Sequence, residues 1–502
     1  MGVILAALLI PGVGGMWLVL AGRDLAPVRA NLLALLASVA SLLAVVAALV
    51  TDAAMDRPWI KAIGVNWSFA SDRISAPLLV LTAGIVVLVV IHARRHLPTG
   101  GSAGLFLGSV LLIEAGALAT FMARDALVFF VAFEVVLVPM WVLISRFGDA
   151  HDLAARRDAA SRFVLYTALG STTMLAGILA LVHFAGTSDL RRIPAAGLTD
   201  AQQLLVAGLL IVGLGVKVPL FPVHTWLPPA HTIAPTGGSV LLAAVLLKMG
   251  TYGLIRLPMG LAPTGFARLA PFLAVAGVIG ILWGGLICLV ERDLKRLIAY
   301  SSIAHMGFVA LALATGTTLG VQAALLTSVA HGVVSAMLFF LVGGLKERWG
   351  DLDLATERPA LREVWPAFGF FVVLGLAASL ALPGLATFWG EFFTLYAAWS
   401  TPSATKSLVL DGPVGVLVAT GHPGLLRWCA VAAALGAALA AAYALRVARL
   451  VWVGELAERD PAGDLTGAER FVVGVLAAAT VILGFVPAWV APQLVSVWWG
   501  AS

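Results

Sequence analysis

Seven ionisable side chains stand in stretches of the chain that are otherwise apolar: Glu114, Glu134, Lys217, Lys248, His305, His331 and Glu391. A charge at the centre of a membrane helix costs about 2.5–3.5 kcal/mol on insertion scales, so such residues are rare and usually functional. Glu134, Lys217, Lys248 and Glu391 lie several residues from either end of their runs. That is too deep for their side chains to reach the headgroups easily. The choice of cation narrows the chemistry. The chain has 25 Arg and 6 Lys, yet both deep cations are Lys. Arginine keeps its proton under all ordinary conditions, whereas a desolvated lysine can release one, and its pKa answers to nearby charge. Drawing a carboxylate back from about 4 Å to about 8 Å from an ammonium, at an effective dielectric near 20, weakens their attraction by about 2 kcal/mol. That corresponds to a pKa change of about 1.5. A Glu–Lys pair that opens and closes therefore suffices to load and unload a proton.

The same residues admit plainer roles. Glu134 and Lys217 could form a static ion pair between two helices, His305 and His331 could be hydrogen-bonded interior histidines, and Glu114 could be a protonated acid bonded to a neighbouring helix. Four deep charges on separate helices are harder to explain as packing, because apolar replacements of a merely structural set are often neutral or stabilising.

Two helices that carry these charges are also interrupted. In "GVKVPLFPVHTWLPPAH" (215–231), Pro219 and Pro222 follow Lys217, with His224 close behind; in "LALPGLATFWGEFF", Pro383 and Gly384 precede Glu391. Proline removes a backbone donor and kinks the helix. Freed carbonyls at membrane depth are tolerated only inside protein or beside water. The expectation is a hydrated pocket next to each charge.

The elements that must position these residues follow from composition. The 502 residues are 61% hydrophobic and 11% charged, against about 25% charged in soluble domains. Apolar runs long enough to cross about 30 Å of hydrocarbon recur throughout. The chain is expected to be an all-α polytopic membrane protein, a single membrane domain over 1–502. Fourteen spans are expected: 3–21, 31–50, 77–94, 105–122, 126–144, 162–185, 204–226 (broken), 238–257, 269–290, 294–315, 320–345, 365–399 (broken), 425–453 and 471–493. The first run has no basic flank and reads as a permanent span, not a signal peptide. The broken spans are the seventh and twelfth. Spans 4–8 (105–257) and 9–13 (269–453) would then be two five-helix repeats, inverted by their odd length, each with its break at the equivalent position. Matching breaks in inverted repeats point to an ion site. Loops after odd-numbered spans carry 19 basic residues, Lys295 and Arg459 among them, and the opposite loops carry 10, including Lys406. This bias puts the odd loops in the cytoplasm and both termini outside. The two cysteines, Cys288 and Cys429, stand alone in apolar runs and form no disulfide framework or iron–sulfur site. The glycine clusters lie within spans and follow no strand, so no nucleotide site is expected, and the net charge of +5 marks no nucleic-acid face.

With these residues assembled, the chain resembles the antiporter-like subunits of respiratory complex I, and in particular the M-type subunits of bacterial NADH–quinone oxidoreductase. The resemblance covers nearly the full length. It rests most on 215–231 with the following "GGSVLLAAVLLKMGTYGLIR", on "RDLKRLIAYSSIAHMG", and on "LPGLATFWGEF". It implies that Glu134 pairs with Lys217, that Lys248 is the central relay, and that Glu391 is the terminal proton site. His331, His305, Glu114 and His224 would be secondary positions on the path. Glutamate at 391 and serine at 335 fit the M type, as does a chain stopping at Ser502, since an L-type subunit would continue into a long lateral helix. The resemblance further implies no cofactor in this chain, with flavin mononucleotide, iron–sulfur clusters and quinone held by partners. Those partners would be the sister subunits L and N and a peripheral redox arm, in a bacterial inner membrane. Protons would pass from the cytoplasm to the outside. Three other roles remain open: a subunit of an Mrp-type sodium/proton antiporter, a membrane subunit of a hydrogenase or formate-linked complex, and a non-transporting scaffold.

Overall fold

The computed structural model describes residues 1–61, 64–150, 152–401, 407–409, 416–418, 421–454, 458 and 460–491. Lys406, Arg459 and the last two residues of the expected 471–493 span lie outside them. The helices are α1 (Gly2–Ala21), α2 (Pro27–Val50), α3 (Ser75–Ala93), α4 (Ala103–Met122), α5 (Ala126–Val135), α6 (Leu137–Phe147), α7 (Leu153–Ala185), α8 (Asp200–Lys217), α9 (Leu227–Ile233), α10 (Thr236–Leu241), α11 (Leu247–Leu254), α12 (Pro263–Val290), α13 (Leu294–Ala314), α14 (Thr318–Trp349), α15 (Leu361–Val364), α16 (Pro366–Ser379), α17 (Ala386–Ser400), α18 (Pro423–Ala448) and α19 (Gly467–Phe485).

Thirteen helical stretches among the described residues are long and apolar enough to cross a membrane. They fall on the expected spans, with one exception. The stretch 365–399 is divided between α16 and α17, 14 and 15 residues long. At about 1.5 Å per residue neither reaches across the hydrocarbon alone. The all-α expectation also needs an amendment. Two short antiparallel hairpins are present, β1 (Ala54–Ile60) with β2 (Val65–Ala70), and β3 (Ser407–Val409) with β4 (Val416–Val418). In β1 only Met55 is buried and Pro58 interrupts the strand, so no alternating pattern announces it.

Helix starts are written locally. Asp125, Asp152 and Asp293 each accept a backbone N–H from the first turn of α5, α7 and α13, while Thr199 and Thr466 close capping boxes on α8 and α19. Such caps satisfy amides that no helical carbonyl can reach.

Contacts between loops sort by parity. The loop after the second span touches that after the fourth (Phe69 with Ala123), the fourth touches the sixth (Asp125 with Asp189), and the ninth touches the eleventh (Asp293 with Asp353). Ion pairs obey the same rule: Lys346 with Asp149, Arg268 with Asp200, and Asp72 with both Arg124 and Arg256. A chain that crosses one slab back and forth must put alternate loops together at each end. The helices also divide by burial. The apolar middles of the stretch Thr236–Met259, of α13 and of α14 are buried almost throughout, whereas most of those of α1 and α2 are not. The helices that carry Lys248, His305 and His331 thus form the centre, and the first two lie at the periphery.

Candidate functional site

Four helices that carry the candidate residues are irregular beside them. α8 ends at Lys217 itself, and the chain runs without regular helix to Leu227. The Trp226 indole donates to the Val216 carbonyl at 3.0 Å and the Leu220 amide donates to the Gly215 carbonyl at 2.9 Å, so part of the freed backbone is satisfied inside the protein. α16 ends at Ser379 and α17 resumes at Ala386. Pro383 and Gly384 lie in the gap, and Gly384 has φ of +88°, which only glycine adopts freely. The Thr387 hydroxyl donates across the gap to the Ala378 carbonyl. Two irregularities were not expected. The fifth span breaks at Val136, beside Glu134, because Pro139 has no N–H for the Val135 carbonyl. The eighth widens into π-helical turns at Leu242–Leu246 and Ile255–Met259, on either side of Lys248. π-bulges recur at functional sites.

The structure brings four candidates into one buried row. Lys248 Nζ lies 2.5 Å from His331 Nδ1 and also donates to the Ala243 carbonyl at 2.6 Å. The His331 and His305 rings are 5.4 Å apart, centroid to centroid. His305 Nδ1 lies 2.9 Å from Glu391 Oε1, and its Nε2 lies 3.3 Å from the Ser379 hydroxyl. All four are at most 5% exposed. A cavity of about 10 Å³ sits between the two imidazoles, lined by Ser301, Ser335, Ser379 and Thr387 as well as the rings. That is about the space one water requires. With Lys248 as an ammonium, His331 accepts at Nδ1, so its own proton resides on Nε2, which faces away from the lysine.

The other half of the candidate set is looser. Glu134 accepts a hydrogen bond from Ser171 of α7. Lys217 Nζ lies 5.1 Å from the centre of the Phe133 ring, and among the described residues no carboxylate comes within 4.0 Å of it. The ends of the expected Glu134–Lys217 pair are therefore apart. The Lys217 stem packs against Gly250, where an added Cβ would meet it at 3.1 Å and Val218 at 2.8 Å. This close approach sets Lys217 beside the helix that carries Lys248. His224 stacks on Phe221, with ring centroids 5.6 Å apart. Glu114 is fully buried, and the Ser41 side chain faces it. Neither belongs to the row.

Three residues of the site were missed by sequence reading. His231 is fully buried, stacked on Phe339 with centroids 4.5 Å apart, and neither ring nitrogen has a hydrogen-bond partner. It stands within electrostatic reach of Lys248 and Lys295. Lys295, counted above as a loop cation, is 5% exposed and donates to the Ala234 carbonyl at 2.5 Å. Near it lies the Lys346–Asp149 ion pair of the odd-numbered loops. Ser379 is the third. His231 stands in the quoted 215–231 stretch, seven residues after His224, and that repeat of histidine was the available signal. At the opposite end, burial works to raise the pKa of Asp72, but Arg256 and Arg124 hold the carboxyl far below its usual range. Asp72 thereby ties the start of α3 to the α4–α5 turn and to the end of the eighth span.

The description "NADH:quinone oxidoreductase/Mrp antiporter, TM" belongs to the family that matches residues 123–411. The chain is 37% identical to the NAD(P)H-quinone oxidoreductase chain 4 1 of Synechococcus sp. (strain JA-2-3B'a(2-13)) over 437 residues, covering 86% of this chain and 78% of the relative. The chain belongs to the NADH:quinone oxidoreductase/Mrp antiporter membrane-subunit family. To the chain 4 1 of Nostoc sp. (strain PCC 7120) it is 40% identical, over 72% of this chain and 66% of the relative. Among solved structures, a chain of respiratory complex I from Thermus thermophilus with bound NADH superposes with a TM-score of 0.84 at 30% identity, covering 98% of this chain and 97% of that one. The Mrp complex from Dietzia sp. shares the fold, with a TM-score of 0.79 at 23% identity, over 97% of this chain and 51% of that one. The relatives and neighbours are parts of multi-subunit assemblies, and this member of the family is a multi-pass membrane protein.

Proposed function

We propose that the chain is a proton-translocating membrane-arm subunit of an NADH–quinone oxidoreductase, of the M type. The observation that carries this reading is the buried row Lys248–His331–His305–Glu391, in which each member is in contact with, or one small cavity away from, the next. The chemistry follows from the two nitrogens of an imidazole. A proton reaching Nδ1 of His331 from Lys248 releases the one on Nε2 toward His305, and His305 gives its Nδ1 proton to Glu391. Glu391 then holds it as a neutral acid until it leaves. Lys217 supplies Lys248. Glu134 governs Lys217 through charge: approach of the carboxylate holds the proton on the ammonium, and withdrawal to Ser171 favours its release.

The chain's own residues provide no redox chemistry, so the drive comes from partners: sister subunits L and N and a peripheral arm carrying flavin mononucleotide, iron–sulfur clusters and quinone. Glutamate at 391 favours the M type. We place the subunit in a bacterial inner membrane with both termini outside, on the excess of basic residues in odd-numbered loops. Uptake from the cytoplasm then loads Lys217 and through it Lys248, with the Asp149–Lys346–Lys295 group and His231 as a second approach to Lys248. Spans 4–8 and 9–13 are read as inverted repeats, on the strength of the two breaks at α8–α9 and α16–α17.

Lys217→Ala in the assembled complex tests the reading. Quinone reduction coupled to proton movement should fall sharply, while NADH oxidation by a soluble electron acceptor, which needs only the peripheral arm, should not change. An unaltered number of protons moved per quinone reduced would defeat the proposal.

A further inference from the structure

Tyr443 is a large polar side chain turned into the bundle for no packing reason that phenylalanine would not serve. It is 2% exposed, on α18, which packs against α12, α13, α16 and α17. Its hydroxyl is buried and makes no hydrogen bond within the described chain. An unpaired buried hydroxyl is costly, because it has given up its water without a replacement. The hydroxyl faces Ser301 and Ser379 and stands within electrostatic reach of Glu391. Both serines line the cavity between the imidazoles, and Ser379 is the group beside His305 Nε2. Ser301 donates its own proton to the Ile298 carbonyl at 2.8 Å and so keeps its lone pairs for a donor. Glu391 Oε1 faces His305 Nδ1 at 2.9 Å.

These positions bear on a step that the row alone leaves incomplete. Once His305 has received a proton at Nε2 and given one up from Nδ1, the ring is left with its proton on the wrong nitrogen for the next transfer. We infer that Tyr443 is a further residue of the proton path, resetting the His305 tautomer without turning the ring. Glu391 returns its proton from Oε1 to Nδ1. The Nε2 proton passes to the Ser379 oxygen, the Ser379 proton to the Tyr443 oxygen, and the Tyr443 proton to Oε2. Each oxygen gains one proton as it loses one, His305 ends with its proton on Nδ1, and Glu391 remains a neutral acid. No net charge moves. The inference rests on the proton-translocation reading of Glu391.

Tyr443→Phe in the assembled complex keeps the ring and removes the hydroxyl. Two results are expected. Coupled turnover falls several-fold with a changed solvent deuterium effect, and the infrared carbonyl band of Glu391, identified as the band lost in Glu391→Gln, shifts. Wild-type turnover and deuterium effect overturn the inference, whether or not the band moves. Glu391→Gln assayed alongside separates the two failures: normal proton translocation in that variant sinks the function proposed above, whereas impaired translocation there with an unaffected Tyr443→Phe sinks only this inference. If Tyr443→Phe does not assemble, a fluorinated tyrosine at 443 keeps the shape and makes the phenol a stronger acid. The alkaline limb of the turnover profile should then move to lower pH, and an unmoved limb overturns the inference.

Discussion

At the scale of single residues, the proposed path is a lysine, two imidazoles and a carboxylic acid that follow one another in the buried centre, with a small cavity at the two rings. His305 is the hinge of the chemistry, because one nitrogen serves Glu391 at 2.9 Å and the other serves Ser379 at 3.3 Å. His305→Ala should therefore remove both legs at once. Coupled proton translocation, measured as acidification of inverted vesicles, is expected to fall by roughly 10²-fold, the lower end of what a positioned acid–base group contributes. Quinone reduction in uncoupled membranes should fall far less if the row carries only protons. Ser171→Ala acts on the other half. It removes the hydroxyl that donates to Glu134; on the proposed function the carboxylate should then move toward the lysine, and proton release, read as the turnover number, should slow.

At the scale of elements, function depends on helices that are not allowed to be regular. The breaks after Lys217 and before Glu391, the bend at Val136 and the two π-turns flanking Lys248 each bring backbone or side-chain polar groups to a depth where an intact helix would present only apolar surface. Close approach of α8 to the helix carrying Lys248 depends on a missing side chain. Gly250→Val puts methyl groups where Val218 and the Lys217 stem already lie, at 2.8 and 3.1 Å from the first added carbon. Overpacking of this kind costs about 1–3 kcal/mol. The expected outcome is a lower melting temperature of the purified complex together with a turnover loss exceeding that of Gly250→Ala.

At the scale of the whole molecule, ion pairs at the loop ends hold the bundle in register. His96, just beyond α3, lies 2.6 Å from Glu347 at the end of α14 and 3.8 Å from Glu469 at the start of α19, where Arg348 pairs with Glu469 at 2.9 Å. The hydrogen bond that His96 donates to Glu347 raises its pKa above the usual value, although burial and Arg348 oppose it. A group whose pKa is raised on folding stabilises fully below its unfolded pKa, near 6.5, and loses that contribution as pH climbs through the folded value. His96→Ala should thus lower the melting temperature clearly at pH 6 and hardly at all at pH 9. Equal loss at both would show that His96 acts by packing alone.

The sequence by itself determined the class of molecule and which charged groups stand out within its apolar runs. Apolar runs, two proline breaks and charges within them are local features, and the penalty for a charge in lipid makes each of them conspicuous in one dimension. Glu134, Lys217, Lys248, His305, His331 and Glu391 were all legible for that reason. What the sequence could not decide was which of them touch. His305 and His331 read as secondary residues, yet they join Lys248 to Glu391, because contact among α11, α13, α14 and α17 depends on how separate helices pack. His231 and Lys295 were hidden for a related reason: one stood in a short helix past a break and the other near a loop, and only folding buries them near each other, with His231 also within reach of Lys248. The Glu134–Lys217 separation and the bend at Val136 likewise belong to tertiary structure. Local sequence sets which groups can carry a proton; distances between groups far apart in the chain set the route, and those are fixed only when the helices assemble.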